Sequence, residues 1–103
     1  MVGGALPRRG SITVNSLTGA NQEVASPSER RRAISFNLSP AAGNTVVNNR
    51  PCASANDGFS VGQNNSPFVI DSDHFGDLAG GPWYAFSAAA TGSITVFEGL
   101  EIG

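Results

Sequence analysis

Lysine is absent from this 103-residue chain, and cysteine, histidine, tryptophan and tyrosine occur once each. Each shortage excludes something. With Cys52 alone, no internal disulfide and no cysteine-based zinc site can form. With His74 as the only histidine, clusters of imidazole ligands are ruled out. Charged residues make up 14% of the chain, against a usual share of about 25%. A surface so poor in charge suits a protein covered by neighbours. The net charge is −2 with no basic stripe, which argues against nucleic-acid binding. No run approaches the ~20 apolar residues of a membrane span, so no membrane partner is expected. The start, Met1-Val2-Gly3-Gly4-Ala5-Leu6-Pro7, lacks the apolar core of a signal peptide, which implies synthesis in a cytoplasm.

Helix signals are also scarce. Thirteen glycines, six prolines and nine asparagines interrupt most windows, and no stretch repeats apolar residues at helical spacing. What recurs is short strand patterning between turn residues. The pattern predicts strands over 11–15, 22–26, 32–39, 44–48, 59–61, 67–71, 82–88 and 93–98. The clearest is 32–39, with Ile34, Phe36 and Leu38 on one face and Ala33, Ser35 and Asn37 on the other. About eight such strands in 103 residues predict an all-β fold, a β-sandwich or jelly-roll-like small barrel. Residues 1–10 lack periodicity and read as an extended N-terminal arm; residues 11–103 read as a single β-sandwich domain.

The pentapeptide Gly-Ser-Ile-Thr-Val occurs at 10–14 and again at 92–96. The flanking residues do not match, so an internal duplication is unsupported. Each copy reads as a glycine followed by a strand with two β-branched residues. Ile12 and Val14, like Ile94 and Val96, are expected in one common core. Terminal strands of sandwiches often pair, which leaves these two as possible neighbours.

Candidate chemical sites are few. Asp71, Asp73 and Gly76 match positions one, three and six of a calcium loop, but Phe75 and Pro82 occupy positions that require oxygen ligands. The stretch from Asp71 to Asp77 reads better as a polar loop, so no metal and no cofactor is expected. Cys52 with His74 is a nucleophile–base pair by type alone, and no G-x-S-x-G elbow occurs, so no catalytic residue is assigned. Gly80-Gly81-Pro82-Trp83-Tyr84 offers Trp83 and Tyr84 as a possible ligand platform, although alternation turns Trp83 toward the core. All six cations are arginines. Arg8, Arg9, Arg30, Arg31 and Arg32 are expected at an interface with a neighbouring subunit, where guanidinium groups tolerate partial desolvation.

The order of these features resembles that of small virion structural proteins of tailed phages. The resemblance rests on Ala25-Ser26-Pro27-Ser28-Glu29-Arg30-Arg31-Arg32 leading into an alternating strand that closes on Asn37-Leu38-Ser39. It continues with Gly81-Pro82-Trp83-Tyr84-Ala85 and with Ser93-Ile94-Thr95-Val96-Phe97-Glu98 near the end. It implies a bacteriophage capsid decoration (cement) protein, a head-fibre base or a tail component; the leading expectation is a decoration protein, a homotrimer on the outer capsid surface of the virion, with the major capsid protein as partner. The alternative expectation is a carbohydrate-binding or receptor-binding domain of a phage tail or adhesin.

Overall fold

A computed structural model describes residues 8–54, 56–61 and 68–101, apart from the side chains of Arg8, Phe68, Asp73 and His74. Eight strands follow in order: β1 (Arg8–Ser16), β2 (Gln22–Ala25), β3 (Arg31–Leu38), β4 (Thr45–Asn48), β5 (Phe59–Val61), β6 (Phe68–Asp71), β7 (Trp83–Ser87) and β8 (Ser93–Glu101). They form two four-stranded antiparallel sheets, ordered β1-β8-β3-β6 and β2-β7-β4-β5. Apart from the β4–β5 hairpin, each connection crosses from one sheet to the other, so the chain winds as a jelly-roll sandwich.

The core lies between the inner faces. Ile34 and Phe36 from β3, Ile70 from β6, and Ile94 and Val96 from β8 are fully buried against Val47 of β4 and Trp83 and Ala85 of β7. Period-two alternation puts each set on one face of its strand. Trp83 is the anchor. Its ring meets that of Phe36 with centroids 5.4 Å apart, and its Nε1–H donates to Leu78 O at 3.1 Å. The single polar atom of the indole is thereby satisfied, which makes its burial favourable. Each large apolar side chain so removed from water contributes about 1.5–3 kcal/mol.

The stretch after β6 differs from a plain loop. Ser72–Phe75 makes one helical turn, α1, and Gly76–Gly80 a 3₁₀ helix that closes on Leu78 O. Ala79 from this segment is buried in the core. A four-residue turn of this kind escapes any reading based on helical periodicity.

Two expectations at the ends of the chain change. β1 begins at Arg8, inside the stretch expected to be an arm, and residues 8–10 pair with 99–101 of β8. Residues 1–7 lie outside the described residues. The expectation that Ile12 and Val14 share the core with Ile94 and Val96 is overturned. Ile12 is 65% and Val14 63% exposed, whereas Ile94 and Val96 are fully buried. The register gives the reason. β1 and β8 pair antiparallel with Val14 opposite Thr95 and Thr13 opposite Val96. The two copies of the pentapeptide thus overlap only at residues 13–14 and 95–96, three residues away from matched pairing, and an odd offset sets Ile12 and Val14 opposite Phe97 and Thr95. Their apolar residues fall on opposite faces of the same sheet.

Candidate functional surface

The exposed side chains of β1 do not stand alone. On the outer face of the first sheet Ile12 is level with Phe97 of β8, Phe97 with Ser35 of β3, and Ser35 with Val69 of β6. Phe97 is 45% and Val69 50% exposed. The result is an apolar row crossing all four strands, interrupted only by a serine and flanked by Val14, Thr95 and Asn37. The sequence carries a signal for it that strand prediction passed over. In β8 and β6, Phe97 and Val69 sit out of phase with the buried Ile94, Val96 and Ile70. The Phe97 ring covers Gly10 and pairs with Ile12, yet all three large side chains of the row keep 45% or more of their surface in solvent. Scattered exposed apolar residues are ordinary; a row that crosses a whole sheet makes this face the candidate interaction surface.

The arginines expected at an interface divide into three groups. Arg31 is buried, and its bonds are internal. Its Nε donates to Glu98 Oε2 at 2.8 Å, Nη1 to Gly81 O at 2.8 Å and to Ala79 O at 3.3 Å, and Nη2 to Ser26 O. One guanidinium thus ties the 3₁₀ helix and the β2–β3 loop to β8. The expectation of an interface role for Arg31 is corrected, because all its donor directions are spent inside the fold. Arg32, about one-third exposed, pairs with Glu101 and donates to Glu29 O at 2.9 Å. Arg9 and Arg30 are exposed, and the side chain of Arg8 lies outside the described ones.

Trp83 and Tyr84 do not make a platform. Trp83 is fully buried and Tyr84 half-buried, since consecutive strand residues face opposite sides of the sheet. Among the candidates for chemistry, Cys52 is buried, and that burial pushes its thiol up from the ordinary value, so it is a poor nucleophile. Asn21 clasps it: the Cys52 N–H donates to Asn21 Oδ1 at 2.7 Å and Asn21 Nδ2 donates to Cys52 O. Asp57 holds the same loop from the other side. It accepts two bonds from Arg50, each at 2.6 Å, and one from the Ala53 N–H at 2.7 Å. The Arg50 bond first, and the Ala53 amide second, hold its carboxyl down at about 2. His74 and Asp73 lie outside the described side chains, so neither the Cys52–His74 pair nor the Asp71–Asp73–Asp77 set acquires a geometry. Among the described residues no group of three or more histidine, cysteine or acidic side chains could hold a metal ion.

The chain matches no known protein family and no curated protein. It is similar in fold to a solved structure described as one of the Bacillus endospore appendages, which form a family of disulfide-linked pili. That likeness has a TM-score of 0.56 and 8% identity over 95% of this chain and 89% of the other. At that identity the likeness shows the sandwich fold alone. Among the described residues no helix is long and apolar enough to cross a membrane.

Proposed function

We propose that this protein is a non-enzymatic structural subunit, a capsid decoration protein that binds the outer shell of a tailed bacteriophage and stabilises it. One observation carries the reading: the apolar row Ile12–Phe97–Val69 on the outer face of a sheet whose inner face already holds the core. Such a face gains stability only when another protein surface covers it. The low charge of the chain lowers the desolvation cost of covering it. Each copy would lay this face across a junction between capsid subunits. Shell opening then has to break many modest contacts together, and their sum rather than any one of them resists it.

Quantitative mass spectrometry of purified particles tests the reading. Many copies per particle, in fixed ratio to the major capsid protein, are expected. Absence from the particles, or only a handful of copies, overturns it.

A second reading is a subunit of an extracellular filament, favoured by the fold shared with the endospore appendage protein. The covalent linkage of those pili does not transfer through Cys52, which is buried. A filament of this chain would have to hold by packing. Fibres labelled by antibody to this protein in electron micrographs, with no labelled particles, would replace the first reading with the second.

A further inference from the structure

Sandwich proteins protect the edges of their sheets with short strands, bulges, prolines or charges, because a free edge recruits other strands. Of the four edge strands here, three are blunted. β2 is four residues long with a register shift between Glu23 and Ala25, β5 is three residues long and β6 four. β1 is nine residues long, runs in unbroken register with β8, contains no proline and carries its only charges, Arg8 and Arg9, at its start. Ile12, Thr13 and Val14 are all exposed, so the middle of β1 is open on both faces as well as along its edge.

The backbone groups on that edge can be named. Just past the strand, Leu17 N–H donates to Gly92 O at 3.0 Å, across to the β8 side. Backbone groups alternate sides along a strand, so the residues two, four and six before Leu17 also face β8. Gly10, Ile12, Val14 and Ser16 therefore point their N–H and C=O groups away from it. The Ser16 carbonyl agrees: it accepts a bond from Gln22 Nε2 at 2.9 Å, from outside the sheet. Gln22 thus caps one end of the edge and leaves the groups of Gly10, Ile12 and Val14 without a partner among the described residues.

We infer that β1 is a self-pairing edge, and that its partner is β1 of a second copy, antiparallel about a two-fold axis at Ile12. In that register Gly10, Ile12 and Val14 of one copy exchange hydrogen bonds with Val14, Ile12 and Gly10 of the other. The occupied Ser16 carbonyl then falls opposite Arg8, beyond these three pairs. A two-fold at Thr13 would leave only the Ile12 and Val14 pairs clear of it, because Gly10 would then face Ser16.

Charge selects the same arrangement. Antiparallel pairing about Ile12 sets Arg9 opposite Asn15 and the backbone of Arg8 opposite Ser16, so no two cations meet. Parallel pairing in register would stack Arg9 on Arg9. Pairing with β6 of another copy would use only four of the nine residues of β1. Packing fits as well. The Phe97 ring lies over Gly10, where an added Cβ would come within 2.7 Å of it. Val14 of the second copy, opposite Gly10, then rests beside that ring. The two first sheets become one eight-stranded sheet, and the two apolar rows meet at Ile12. This pairing does not depend on the particle proposed above. It replaces the three-fold symmetry implied by the phage resemblance with a two-fold.

An edge contact of this length falls at the small end of interfaces, below about 1,200 Å² in total, so the pair should be concentration-dependent. Sedimentation equilibrium of the full chain over a concentration series tests it. Wild type should approach twice the chain mass. Ile12→Lys and Ile12→Asp should each stay at the mass of one chain, since like charges then face each other across the axis. Mixed in equal amounts the two variants should pair again, because position 12 faces only position 12. Circular dichroism and melting temperature confirm that each variant is folded. The inference is overturned if folded wild type stays at the mass of one chain throughout or forms trimers. An open series of larger species, a paired Ile12→Lys chain, or a mixture of folded variants that fails to pair would overturn it equally.

Discussion

Gly10 and Gly92 open the same pentapeptide, yet they serve different constraints. Gly92 sits in a left-handed turn at φ +76°, and an added Cβ would stand 2.5 Å from Ala42 N. Neither backbone can yield without breaking the bonds that join Ser39 to Ser93, from Ser39 N to Ser93 O and from Ser93 N to Ser39 Oγ. Gly10 lies in extended backbone, and what its Cβ would meet is the Phe97 ring, a side chain that can turn aside. The expected outcome follows from that difference. Gly92→Ala should lose at least about 1–3 kcal/mol from the conformation alone, with the backbone clash added. Gly10→Ala should cost about 0.5 kcal/mol, in the range of surface changes. Denaturant melts of the two variants check it; equal losses would show that the Phe97 ring is held as firmly as backbone.

At the level of elements, Arg31 joins segments that no regular hydrogen-bonded ladder connects. The 3₁₀ helix Gly76–Gly80 packs beside β3 because its carbonyls at Ala79 and, just beyond, Gly81 end on the guanidinium. Gly80 helps by close approach: its carbonyl accepts from Ser28 N–H at 2.8 Å, and an added Cβ would lie 2.7 Å from Ser28 O. Removing the charge strands Glu98, only 17% exposed, and leaves those carbonyls without their donor. Arg31→Met should therefore lose about 3–5 kcal/mol, a large part of the stability of so small a domain. Arg31→Met with Glu98→Gln should recover part of it, because no uncompensated buried charge remains. A double-mutant cycle on melting free energies measures the coupling, and additive losses would refute it. The sequence announced three consecutive arginines, but a run of like residues on a strand alternates faces. Which of them is buried depends on what the 3₁₀ helix brings over the sheet.

For the whole molecule, two faces of one sheet do different work. The inner face holds Ile34, Ile70, Ile94 and Val96; the outer one carries Ile12, Val69 and Phe97 and faces solvent. If the outer face serves binding rather than folding, its loss should separate the two. Val69→Ser with Phe97→Ser should shift the free energy of unfolding by about 1 kcal/mol or less, as surface changes do. The same pair should abolish attachment to the shell, read as loss of the chain from sedimented particles and an earlier thermal opening of those particles. A folded double variant that still decorates particles in full number would place the contact elsewhere.

The alternation of Ile34-Ser35-Phe36-Asn37-Leu38, the Trp83-Tyr84-Ala85-Phe86 stretch and the glycine, proline and asparagine breaks made the all-β class and the positions of all eight strands legible in advance. Those are local properties: side-chain period and turn chemistry act within a few residues. Pairing is not local. Two identical pentapeptides received opposite burial because β1 and β8 meet an odd number of residues away from matched pairing, and nothing within either copy encodes that offset. The same holds for the candidate site. Each of Ile12, Val69 and Phe97 looks ordinary in its own strand; they form a row only because β1, β8, β3 and β6 lie side by side. Composition and local pattern by themselves determined a low-charge, all-β chain. Only the tertiary structure decided which apolar residues fill the core and which remain on the surface, because register and strand order are set by contacts between residues far apart in the chain.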